Sequence, residues 1–177
     1  LAIQFALEEV DHIDYEFQPI GSDERPYSSP AFRLPMASIT KSKYYEYDEY
    51  HTSLDNLDFI SPENLEQTLD AYKRAIYYLE NNRVYTRKFD ECEFMLSKIR
   101  NLYPTIGGTI CQPSLVNDHN KHEYTKEIKG NVFDCFSWLM HCVDGKTSLF
   151  DIQIKSNLDI DDLIASSKIL NDNGLLL

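Results

Sequence analysis

The chain has 177 residues, 42% of them hydrophobic, and a formal net charge of −12, which is length and apolar content enough for one medium domain or two small ones. That acidity argues against nucleic acid and anionic membrane surfaces as partners, because both draw in basic proteins. No apolar run approaches the roughly 20 residues of a spanning helix, and residues 1–17, LAIQFALEEVDHIDYEF, carry acids where a secretory signal carries Lys or Arg.

In chain order, Leu1, Phe5 and Val10, with Ala2 and Ala6, have the spacing of the end of a helix. The chain opens on Leu1 inside that pattern, so a preceding segment is expected. Residues 15–19, YEFQP, alternate like a short strand that stops at Pro19. The loop 21-GSDERPYSSP-30 follows, dense in turn formers. Residues 34–41, LPMASITK, read as a second strand, and 42–56 as a loop rich in Tyr and acids. A strong helix then begins with Ser61 as N-cap, Pro62 in the first helical position and Glu63 at the positive end of the dipole. Its apolar stripe is Leu65, Leu69, Tyr72, Ile76 and Leu79, and it ends near Asn81-Asn82. The alternation of helix, strand, loop, strand, loop and helix predicts an α/β fold with functional loops at strand ends.

The segment 102-LYPTIGG-108 looks like a turn or linker, and a domain boundary is expected between residues 105 and 122. The chain is accordingly divided into 1–112 and 113–177. Three helical signals follow. Residues 126–143 end at Asp144-Gly145, residues 147–156 are capped by Thr147, and residues 159–174 run from Asp159 to a left-handed stop at Gly174. Leu175–Leu177 reads as the start of a strand. Three short helices closing on a strand outline a winged helix. The four cysteines, Cys92, Cys111, Cys135 and Cys142, form no C-x-x-C and are expected as reduced, mostly buried thiols of a cytoplasmic protein.

Two loops carry the residues best suited to chemistry. His51 lies among Asp48, Asp55 and Asp58, and a histidine ligand needs a partner on its second nitrogen. A lone loop histidine is nevertheless more often simply exposed. Asp23, Glu24 and Arg25 form an acid and arginine cluster where α/β enzymes hold catalytic groups, or equally a surface ion pair of little energetic weight. His119 and His122, with Glu123 beside them and Cys111 upstream, have spacing compatible with a metal. Their neighbours Asn117, Asp118 and Asn120 suit a solvated linker better. His141-Cys142 ends a helix, where dipole complementarity or burial is the simpler role.

In combination the order 21-GSDERPYSSP-30, 34-LPMASI-39, 50-YHTSLDNLDFISPENL-65 resembles the C-terminal end of the catalytic domain in zinc aminopeptidase-like proteins of the M28 type. It looks closest to the polysaccharide-biosynthesis-associated branch. Members of that branch also carry 102-LYPTIGG-108 and end in a winged-helix domain, which 144-DGKTSLFDIQ-153 matches loosely. The resemblance implies a C-terminal portion of an aminopeptidase-like α/β domain followed by a small winged-helix domain. It implies that His51 is the last zinc ligand and that Tyr50 donates a hydrogen bond to a developing oxyanion. It implies too that the Gly21–Arg25 loop, with Asp23 and Arg25, borders the cleft. The reaction it implies is attack of zinc-bound hydroxide on the carbonyl of a peptide or amide substrate. The remaining ligands and the general base would lie N-terminal to anything in this chain, so one zinc ligand is expected here. After GSDER the branch tends to carry Gln-Tyr-Cys-Ser-Pro-Gly, whereas Pro26, Tyr27, Ser28, Ser29, Pro30 and Ala31 stand here.

A non-catalytic protein-interaction module built on the winged helix is the other reading. A DNA-binding winged helix is disfavoured, because residues 159–173 set Lys168 alone against four aspartates where phosphate contacts need Lys or Arg. A truncated α/β layer exposes edges and apolar surface. The chain is therefore expected to form a homo-oligomer or to depend on a missing N-terminal segment.

Overall fold

The computed structural model describes residues 1–88, Leu96, Leu102 and residues 132–177. Two compact units divide at Tyr78 and Leu79. The boundary expected at 112/113 lies outside the described residues. Residues 83–88 hydrogen-bond to the C-terminal helical segment and belong to unit 2.

Unit 1, Leu1–Tyr78, holds α1 (Ala2–Leu7), the one-turn α2 (Glu24–Tyr27) and most of α3 (Pro62–Asn81). α3 starts as its sequence dictates: Ser61 Oγ accepts from the Asn64 N–H at 3.2 Å, which satisfies one of the helix's orphan donors. The face that α3 buries is not its apolar stripe. Ala71, Ala75, Tyr77 and Tyr78 are buried, while Leu65, Leu69 and Ile76 are more than half exposed. Tyr78 meets Phe5 of α1 edge to face, with ring centroids 5.8 Å apart.

The strands expected over 15–19 and 34–41 do not form; among the described residues the structure contains helices and isolated bridges. A strand needs a neighbour to pair with. Residues 34–36 instead turn back on themselves, with the Leu34 N–H on Tyr27 O and the Met36 N–H on Leu34 O. Residues 39–41 are tied to α3 by side chains. The Tyr72 hydroxyl bridges Ile39 N and O at 3.4 Å each, and Lys41 Nζ donates to Gln67 Oε1.

Unit 2, Leu79–Leu177, is built on α4 (Val132–Cys142), α5 (Leu149–Ser156) and α6 (Ile160–Asp172). Phe136 and Leu139 of α4, Ile152 of α5 and Leu163 of α6 are fully buried and form its centre. The cap of α5 is Ser148 rather than the expected Thr147. Ser148 Oγ accepts from the Asp151 N–H, and the Asp151 side chain accepts from the Ser148 N–H, closing a capping box. α6 ends in a Schellman-type turn: the Leu175 N–H reaches Leu170 O at 2.9 Å and Gly174 takes φ +65°. The extended segment 83–88 knits these helices together. Leu149 N–H donates to Arg83 O and Gly145 N–H to Tyr85 O, while Thr86 and Leu177 exchange both of their backbone bonds. Cys135 is buried and Cys142 half-buried, and both are free thiols. Burial pushes the Cys135 thiol up to about 11, which makes it an inert core group.

Asp159 caps α6 as expected, accepting from the Asp161 and Asp162 N–H groups at 2.8 and 3.3 Å. Asp159→Ala will destabilise unit 2 by about 1 kcal/mol, and Asp159→Asn, which keeps the acceptor, by much less. Thermal melts of the two variants beside the wild type check this. Equal loss in both would mean that the charge, not the cap, stabilises α6.

Among the described residues no helix is long and apolar enough to cross a membrane.

Candidate functional site

The three motif segments of unit 1 converge. Gly21 is buried, and a Cβ added there would lie 2.8 Å from Glu24 Oε2 and 2.9 Å from the Tyr44 hydroxyl. Only a glycine leaves room for both groups. The Glu24 carboxylate also accepts from Ser38 Oγ, and that bond holds its pKa below the usual carboxylate range. One side chain thus links the 21–25 loop to the 34–39 segment, while its Oε2 is buried without a hydrogen-bond partner among the described residues.

The tyrosine loop is a staircase of tight turns. The N–H groups of Glu46, Tyr50, Thr52, Asp55 and Phe59 each donate three residues back, and the Thr52 hydroxyl closes on Glu49 O at 2.8 Å. Its rings pack on one another. Tyr50 meets Tyr45 at 4.8 Å and Tyr47 at 5.5 Å between centroids, and Tyr47 stacks on Phe59. Tyr44 lies 6.5 Å from Tyr50, so the ring cluster reaches the space beside Gly21. Lys43 sits between Glu46, at 2.7 Å, and the face of Tyr15, 4.0 Å from its centroid. The Tyr15 hydroxyl donates to Glu46 at 3.0 Å. These three side chains anchor one end of the staircase.

His51 stands at the top of this arrangement. It is exposed, and its imidazole stacks on Tyr50 with centroids 4.0 Å apart and planes 13° from parallel. Its φ is +57°, and Tyr45 is also left-handed at +68°. Such conformations cost of order 1–3 kcal/mol each in non-glycine residues and persist where the surroundings over-determine them. Burial among the rings, with Tyr45 next in effect, raises the pKa of Tyr50.

The structure therefore brings Tyr50 and His51 together. It does not join Asp23 and Arg25 to them. Asp23 is the N-cap residue of α2 and makes no side-chain cap bond; both it and Arg25 are exposed, with no ion pair between them. Of the cluster Asp23, Glu24 and Arg25, the member with a structural partner is Glu24, through Ser38. Its signal was Gly21 three positions upstream, a spacing that lets the carboxylate fold back over the glycine. Among the described residues no three His, Cys, Asp or Glu side chains could hold a metal ion together. His119, His122, Glu123, Cys92 and Cys111 lie outside the described residues. His141 is exposed at the end of α4.

A family model described as "Domain of unknown function (DUF4910)" matches residues 2–82, a stretch that contains all three motif segments. Over 146 residues, 81% of its length, the chain is 38% identical to a Clostridium acetobutylicum protein provisionally named a polysaccharide biosynthesis protein with an aminopeptidase-like domain. It covers 29% of that protein. A crystal structure of a provisionally named peptidase from Clostridium acetobutylicum is similar with a TM-score of 0.66 and 29% identity. That match covers 99% of this chain and 35% of the other. The chain spans about a third of the length of the relatives it matches.

Proposed function

We propose that this chain is the C-terminal portion of a zinc-dependent aminopeptidase-like hydrolase of the M28 type acting on a peptide or amide, with unit 2 as its winged-helix domain. The observation that carries the reading is the Tyr50–His51 stack: an exposed imidazole fixed by a ring at 4.0 Å and by a left-handed backbone, in a loop whose Tyr44 hydroxyl packs beside Gly21 of the Gly21–Arg25 motif. The similarity to an aminopeptidase-like protein supports it. A free loop histidine needs neither constraint.

A zinc site takes three or four protein ligands; His51 is the ligand assigned here, and among the described residues no three His, Cys, Asp or Glu side chains could hold an ion together. The residues in hand do not complete a site. What they do themselves is narrower. The ring stack orients the His51 imidazole before any ligand arrives, which lowers the entropic cost of binding. The Tyr50 hydroxyl can donate to a substrate oxygen. Glu24 holds the neighbouring loop in register.

The test is the zinc content of a polypeptide in which the N-terminal part of the Clostridium acetobutylicum relative precedes this chain, measured by atomic emission, with amino-acid anilide hydrolysis alongside. Loss of an outer-shell partner already costs about 10- to 100-fold in affinity, so His51→Ala should cost at least that much. Tyr50→Phe should retain zinc and lose hydrolysis. Zinc bound equally well by wild type and His51→Ala would sink the reading.

A further inference from the structure

Unit 1 is a unit without an adequate core. Of its apolar and aromatic side chains it buries Ala2, Ala6, Ala71, Ala75, Tyr77 and Tyr78, mostly small groups, while unit 2 buries Phe136, Leu139, Ile152, Leu163 and many more. Leu65, Leu69 and Ile76 lie in one row on α3, 59%, 54% and 57% exposed. They are spaced by four and seven residues and so point the same way. A stripe of this kind is what a helix turns toward a core, and large contiguous apolar patches on soluble proteins mark contact surfaces.

We infer that this face of α3 is the docking surface for the rest of an aminopeptidase-like domain, an inference that rests on the reading above. The occupant is the portion of such a protein that lies outside the third spanned by this chain. It would present an apolar layer to Leu65, Leu69 and Ile76. A second copy of this chain fits less well. Beyond the stripe, Ile13, Phe17, Ile20, Phe32 and Leu57, none of them on α3, are 75%, 58%, 60%, 67% and 83% exposed in unit 1. Apolar surface spread that widely calls for a larger enclosing body.

The test uses Leu69→Cys, read by the rate of thiol labelling at that residue through peptide mass spectrometry. It is measured in the 177-residue chain and in the polypeptide that joins it to the N-terminal part of the Clostridium acetobutylicum relative. Labelling should slow by about tenfold or more in the joined polypeptide. Leu69→Lys with Ile76→Lys should leave the helicity of the 177-residue chain unchanged but make the joined polypeptide more susceptible to protease. Equal labelling in the two contexts overturns the inference. So does a stable dimer of the 177-residue chain that already protects Leu69→Cys, since the occupant is then a second copy. Protection without zinc or hydrolysis would leave the docking surface standing and remove the hydrolase reading. Zinc and hydrolysis without protection would do the reverse.

Discussion

Leu163→Ala will lower the unfolding free energy of unit 2 by about 3 kcal/mol, within the roughly 2–5 kcal/mol that buried leucine truncations cost. Leu163 is fully buried on α6, as are Leu139 and Phe136 on α4 and Ile152 on α5. All three helices therefore lose packing when its side chain is cut back. The chain carries one tryptophan, Trp138, within α4. Urea unfolding followed by tryptophan fluorescence accordingly reports unit 2, whatever happens in unit 1. Leu69→Ala, on the exposed face of α3, is the matched control; it should leave the tryptophan transition where it was. A loss under about 1 kcal/mol for Leu163→Ala would mean that the three helices do not share one core.

The second large effect is expected at Gly145, the residue that turns the chain after α4. Its φ is +78°, a region that L side chains rarely adopt. An added Cβ would stand 2.9 Å from the Thr86 Cγ2 methyl, and the Gly145 N–H donates to Tyr85 O at 2.9 Å. Backing away from the methyl would therefore break the bond to the 83–88 segment. Gly145→Ala should cost about 1–3 kcal/mol. Gly174 separates the two contributions. Its φ is +65° but nothing lies within 4 Å of an added Cβ, so Gly174→Ala should cost only the conformational part, about 1 kcal/mol. Thr86→Ser, which removes the offending methyl, should recover much of the loss in Gly145→Ala and little in Gly174→Ala. A double-mutant cycle by urea unfolding measures that coupling.

The helices of unit 2 could be read residue by residue because their signals are local. Asp159 caps α6, Gly174 stops it and Gly145 ends α4, and each acts within a turn of itself. Ser148 displaced Thr147 as a cap because Asp151 sits three residues after Ser148 and can complete the reciprocal box. α3 was legible in extent but not in orientation. Its stripe has the period of a buried face, yet what buries such a face is tertiary, and within this chain Ala71, Ala75 and Tyr78 turn inward instead. The strands of the expected α/β layer failed for the same reason. Alternation at 15–19 and 34–41 marks a preference that a neighbouring strand must realise, and the described residues offer none there. At the candidate site, the neighbourhood of Tyr50 and His51 was legible as a motif. The role of Glu24 was not, because its partner, Ser38, comes from a separate segment fourteen residues on.

The pairing of Thr86 with Leu177 also sets an order of events during synthesis. The first half of that contact leaves the ribosome before any of α4, α5 or α6, and the second half only after all three. Elongation at about 5–20 residues per second is slow beside helix formation, which takes about a microsecond or less. The three helices can therefore collapse on one another, with Arg83 and Tyr85 already paired to Leu149 and Gly145, while Thr86 and Lys88 still lack Leu177 and Leu175. Unit 2 thus passes through a stage with its helices assembled and one end of the extended segment, Thr86 to Lys88, unpaired, a template open to any passing strand.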